Sequence, residues 1–284
     1  MAWPRYRVDP ATNPHRPGAR RRYRKDQTMA GSGDPRSSLR RNEPADDGEP
    51  EGARRPWRNR PAGALLIAGP AIFLLAEFIA AAAWTDPPYS YTYHFISNLG
   101  VHGPSTLFGQ YMYSPLAWVM NAGFFMFGLT ILAGVAALRG PHGRWRWAAL
   151  VPAALLAAGG VLLGLFPGSG EAMNDSTGDF HSLGAWAGFV GGNVLAIVLG
   201  RMRRRIGLSV RLGRTLVAVG VIGLVSMAAY FADLVSGVNV LVGLIERGAV
   251  HPFLIGLGCA GIALWHMRGR SATHGRVSAP ARVS

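Results

Sequence analysis

The chain has 284 residues, carries a net charge of +14 and contains a single cysteine, which excludes an internal disulfide or a C-x-x-C redox or metal pair. Its mean hydropathy of only +0.18 averages two unlike parts. A polar stretch of about 60 residues precedes some 200 residues of mostly Ala, Gly, Leu and Val in long uncharged runs, a pattern that excludes an ordinary soluble domain.

Residues 1–60 hold 15 Lys and Arg against 8 Asp and Glu. A segment so poor in aliphatic residues cannot bury enough apolar surface to offset its chain entropy, so a disordered basic tail is expected there. Its cluster Arg20, Arg21, Arg22, Arg24 and Lys25 suits contact with anionic lipid headgroups, at about 1 kcal/mol for each basic residue near the surface. No nucleic-acid partner is expected. Met29 offers an alternative start. No cleavable signal peptide is visible, because the first apolar run is too long for a signal h-region.

A hydrocarbon core needs about 20 apolar residues per helix. Six runs meet that length: Ala62–Trp84, Leu116–Leu138, Ala148–Phe166, Leu183–Leu199, Leu216–Val235 and Ala249–Met267. The fold expected is all-α, a membrane bundle of about six helices over residues 61–268, with a disordered tail at 269–284. With six spans, 13 of the 14 arginines after residue 60 fall on one side together with the basic tail. Arg247 is the exception. The positive-inside rule makes that side cytoplasmic and places both termini there, in the cell membrane. Gly160/Gly164, Gly184/Gly188/Gly192, Gly220/Gly223 and Gly256/Gly261 read as packing seams, since small residues let helix backbones approach in lipid. Cys259 reads as a small packing residue.

Ionisable groups in or beside membrane spans are costly and mark candidate functional positions. All of them gather in the outer half. Glu77 lies seven residues from the outer end of the first span, roughly 10 Å deep. His94 and His181 are candidate acid/base residues, with Glu77 or Asp233 as partners. Ser97, Asn98, Asn121, Glu246, Arg247 and His251 are candidate ligand contacts. Glu246 and Arg247 are also expected to pair with Glu77 or Asp233. A metal would have to use His94, His181, His251 and Asp179, but these are scattered and no H-E-x-x-H occurs, so neither a metal nor another cofactor is expected. The loop between the first two spans is long and aromatic, with Tyr89, Tyr91, Tyr93, Phe95, Tyr111 and Tyr113. Such rings suit the headgroup region, and the Gly and Pro content suits a structured cap.

Four short motifs occur in order: His94-Phe95-Ile96-Ser97-Asn98-Leu99-Gly100, Gly164-Leu165-Phe166-Pro167, His181, and Gly243-Leu244-Ile245-Glu246-Arg247. In these the chain, over about 70–267, resembles the "domain of unknown function 998" family of prokaryotic multi-pass membrane proteins. Asn98 stands where that family commonly has an acidic residue. The resemblance implies a six-span fold and supplies no established activity. No nucleotide-binding or G-x-S-x-G motif is present. The sequence leaves three classes open. The first is a membrane protein whose outer polar cluster binds a lipid or envelope ligand, or which serves as an accessory subunit. The second is a membrane-embedded hydrolase or transferase acting on such a substrate, and the third is a transporter. Transport ranks last, because the polar residues lie too far from the midplane. Oligomeric state is not legible.

Overall fold

A backbone in hydrocarbon must satisfy its own polar groups, so the apolar runs fold as helices. The computed structural model describes residues 59–239 and 241–267. The basic tail, the Arg20–Lys25 cluster, Met29 and the arginines beyond residue 267 lie outside the described residues. Eight helices follow in order: α1 Arg60–Ala83, α2 Ala117–Ala136, α3 Arg144–Leu165, α4 Gly170–Asn174, α5 Gly178–Arg201, α6 Arg203–Ile206, α7 Val210–Ser236 and α8 Val242–His266. Six of them are long and apolar enough to cross a membrane; α4 and α6 are short connectors. The six pack in chain order as a closed ring, α8 returning against α1, and α5 also reaches across to α8. Over half of the apolar window of α5 is buried (56%) but only 22% of that of α7, so α5 is the central helix and α7 the most peripheral.

Close backbone approach holds the ring. A Cβ on Gly63 of α1 would lie 2.8 Å from the Gly261 carbonyl of α8, and one on Gly261 the same distance from the Gly63 carbonyl. A Cβ on Gly159 of α3 would meet the backbone nitrogen of Gly188 in α5 at 2.5 Å. Inside the ring Phe73 packs edge-on against Phe124 and Phe127, with centroids 5.7 and 5.3 Å apart. Such rings add roughly 0.5–1.5 kcal/mol per pair beyond their buried area.

The two ends of the bundle differ. At one, Asn59 exchanges hydrogen bonds with the backbone of Arg139, and the Arg205 guanidinium lies 5.1 Å over the Trp145 ring. At the other, the segment between α1 and α2 forms a cap. It contains a 3₁₀ turn over Ser97–Gly100 and a hairpin, β1 Ser105–Leu107 with β2 Gln110–Met112. The hairpin is an addition to the all-α expectation. Its two-residue turn, Phe108-Gly109, has φ of 52° and 75°. This left-handed pairing matches strand twist but is unusual for a bulky residue.

Several helices start earlier than the apolar runs. α5 begins at Gly178 and α8 at Val242, because their first turns carry polar residues that hydropathy discounts and tertiary partners satisfy. Cys259 is exposed on the outer surface of α8 rather than packed inside. Replacing Gly159 by Leu is expected to separate α3 from α5 and lower stability by about 1–3 kcal/mol. Gly258→Leu, where a Cβ meets nothing within 4 Å, serves as the control. Thermal unfolding of the two purified variants checks the difference.

Candidate functional site

Arg247 enters the first turns of α8 and finds Glu77 of α1 opposite. Its Nε and Nη2 both lie 2.9 Å from Oε1 of Glu77, while His251, one turn further along α8, donates from Nε2 to Oε2 at 2.9 Å. The guanidinium is otherwise filled by the cap. Nη1 donates to the carbonyls of Tyr91 (2.7 Å), His94 (3.2 Å) and Gly243 (3.0 Å), and Nη2 to the Tyr89 hydroxyl. The Tyr91 ring stacks beneath it at 4.7 Å. Both charged side chains are buried, and every guanidinium nitrogen has a partner. Expectation and structure meet on Glu77, whereas Asp233 makes no ion pair among the described residues and its Oδ2 has no partner.

The neighbouring carboxylate, Glu246, points elsewhere. Its Oε2 accepts the Ile96 N–H, which pins the cap to α8. Leu244 donates its N–H to the Thr92 carbonyl, and Gly243 passes so close to His94 that a Cβ would strike its carbonyl. Asn121 of α2 donates to the Gly100 carbonyl at 2.9 Å and anchors the other side of the cap. His94 lies in a stack, 5.4 Å from Trp84 at 10°, and its Nδ1 accepts the Ser90 N–H at 3.0 Å. Partial burial, helped by the Arg247 charge, holds its pKa below the ordinary value. Burial likewise keeps the Tyr89 hydroxyl neutral, against the opposing pull of Arg247. It donates to the Phe95 carbonyl at 3.0 Å.

Beneath the cap lies a cavity of about 170 Å³. An apolar cavity of ~150 Å³ admits a benzene-sized guest. Aromatic rings from five helices line it, among them Phe73, Phe124, Phe189, Tyr230 and Phe253. Its exposed lining residues are Phe108 at the hairpin tip, Met173 of α4, and Ser182 and Trp186 of α5. The mouth therefore opens at the cap end of α5, with Phe231 and Leu234 of α7 on its other lip. Trp186 stacks on Phe231 with centroids 4.0 Å apart. Gly188 also lines the cavity, and a Cβ there would meet nothing within 4 Å. Its backbone closes the seam with Gly159, while its side-chain direction faces open space.

Polar groups reach this wall from four of the predicted positions: His181, Ser97, Asn98 and Glu246. His181 approaches the Phe166 carbonyl through Nδ1 at 2.8 Å. A carbonyl only accepts, so Nδ1 carries the proton and Nε2 keeps its lone pair. Asn98 donates to Gln110 at 2.8 Å. The second oxygen of Glu246, Oε1, has no hydrogen-bond partner among the described residues. The remaining candidates stand apart from the cavity. Glu77, Arg247, His251, His94 and Asn121 join helices and cap, Asp233 is unpaired, and Asp179 is exposed. Among the described residues no three His, Cys, Asp or Glu side chains gather as a metal site, so His94, His181, His251 and Asp179 do not converge.

One polar residue was missed in the sequence. Asn193, fully buried in α5, donates from Nδ2 to the carbonyls of Phe189 and of Ala249 in α8, each at 2.9 Å. Gly223 of α7 lies so close that any Cβ would collide with the Asn193 amide. Its signal was a lone amide in an apolar run, uncharged and so easily passed over.

The short motifs of the sequence thus meet in pairs. The 94–100 segment closes on 243–247, and Phe166 receives His181. The family model described as "Protein of unknown function (DUF998)" matches residues 67–263, well over half of the chain. The chain belongs to the DUF998 family. Comparison with curated proteins and with solved structures finds no match. This DUF998 member is a multi-pass membrane protein, and both motif pairings fall within the matched region.

Two outcomes follow from this geometry. Glu77→Ala leaves a buried arginine without its carboxylate and is expected to lower stability by roughly 3–5 kcal/mol, whereas Asp233→Ala costs little; denaturation midpoints of both variants decide. The lowered pKa of His94 means that the unfolded chain takes up this proton first. Its contribution is therefore constant above the ordinary value near 6.5 and falls as pH drops below it. His94→Gln, which can still accept from Ser90, is expected to remove that part of the acid sensitivity in pH-dependent unfolding.

Proposed function

We propose that this DUF998 protein holds one lipid-like amphiphile in the cavity beneath its cap, with both termini in the cytoplasm and the cap on the outer side of the cell membrane. The orientation is supported by the arginines of the 139–146 and 201–214 segments, which lie at the end opposite the cap. The ligand reading is carried by one observation: an aromatic cavity with a mouth on the flank of the bundle and a buried acid, Glu246, in its wall. Ligand pockets are mostly apolar and hold a few placed polar groups that fix orientation. Trp186 lies eight residues inside α5, about 12 Å along the helix, whereas Phe108, Met173 and Ser182 lie at the cap end, so the mouth runs from the cap down the flank of the bundle. In the Glu77–Arg247 pair every guanidinium nitrogen is engaged, and the pair supports this pocket from beside it.

Gly188→Leu fills the cavity without striking backbone. Protein purified in mild detergent is expected to carry one amphiphile per chain by native mass spectrometry, and this variant several-fold less at unchanged melting temperature. Equal occupancy in the two proteins would sink the reading.

A further inference from the structure

The wall of the cavity also says which head group suits it, an inference that rests on the ligand reading above. Two polar atoms in the wall have unused hydrogen-bonding capacity. Glu246 has Oε2 engaged by the Ile96 N–H and, among the described residues, Oε1 without a partner. His181 has its proton on Nδ1, held by the Phe166 carbonyl, which leaves Nε2 as an acceptor. Asn98 has an N–H engaged by Gln110. The hydroxyls of Ser97, Ser182 and Tyr230 can donate or accept and discriminate nothing.

Among the described residues no lysine or arginine lines the cavity. The nearest cation in the sequence, Arg247, has Nε on Glu77, Nη1 on three carbonyls and Nη2 on Glu77 and Tyr89. A carboxylate or phosphate brought here would sit beside a buried acid with no cation to pair it, which is costly in low dielectric. A hydroxyl would instead give the orphan oxygen of Glu246 the donor it lacks. We infer that the cavity selects a single-chain amphiphile with an uncharged, hydroxyl-bearing head over one with a carboxylate or phosphate head. The head sits against Glu246 beneath Ile96, and the chain passes Phe189 and Gly188 to leave the bundle beside Trp186.

The test uses the full chain in phosphatidylcholine nanodiscs at pH 7.5. The probes are 11-bromoundecanol and 11-bromoundecanoate at equal mole fraction in the bilayer, and the readout is bromine quenching of the fluorescence that Trp186→Phe removes. The alcohol is expected to quench with about tenfold or higher apparent affinity. Glu246→Gln keeps an acceptor for Ile96 but turns a donor toward the cavity, and should bring the ratio close to one. Equal or tighter binding of the carboxylate by the wild-type protein overturns the head-group assignment even if Glu246→Gln fails to fold. So does a preference that survives Glu246→Gln. In either case, quenching that Gly188→Leu abolishes leaves the cavity reading standing. Absence of Trp186 quenching by both probes, or quenching indifferent to Gly188→Leu, instead overturns the cavity reading itself.

Discussion

A guanidinium inside a membrane helix is the costliest feature of this fold, and most of the cap is arranged around it. Insertion scales place the cost of an arginine at a helix centre at roughly 2.5–3.5 kcal/mol. Here Arg247 has a carboxylate from α1, three backbone carbonyls, a tyrosine hydroxyl and an aromatic face, so none of its nitrogens lacks a partner. These bonds come from three places in the chain: the interior of α1, the loop after it, and the start of α8. The first and last spans are thereby joined at the cap end as well as along their glycine seam. With the Glu246–Ile96 and Asn121–Gly100 bonds, this joint holds the cap above the cavity.

Reciprocity explains how charged residues can cluster beside a membrane span. Glu77 accepts from Arg247 and His251, and it has little left to offer a substrate. Glu246, one residue before Arg247, is on a different face of the helix and so looks into the cavity. Two adjacent residues thus face the helix joint and the cavity wall through the 100° step of the α-helix.

Much of this was legible in the sequence. Span number follows from hydropathy alone, because twenty apolar residues have few other uses. That Arg247 would pair with Glu77 or Asp233 was legible too, since a lone arginine outside the basic segments needs a carboxylate, but only the fold selects Glu77. The starts of α5 and α8 were hidden, because polar first turns look like loops until their partners are known. The hairpin was hidden because its tip uses Phe108 where Asn or Gly is the usual signal. Which histidine would reach the cavity was not readable either. His94 and His181 are chemically alike in sequence, and only the folded cap sets one in a stack against Trp84 and the other in the cavity wall.

Asn193 carries a further consequence. A helix among apolar neighbours can rotate about its own axis or slip along it with little penalty, as small residues and methyl groups slide past one another. The two bonds from this amide, one along α5 and one across to α8, hold a single angular setting, much as one buried asparagine indexes the register of a coiled coil. Gly188 and Trp186 lie within two turns of it on the same helix. The amide therefore sets the azimuth at which α5 presents an empty flank to the interior and an indole to the doorway.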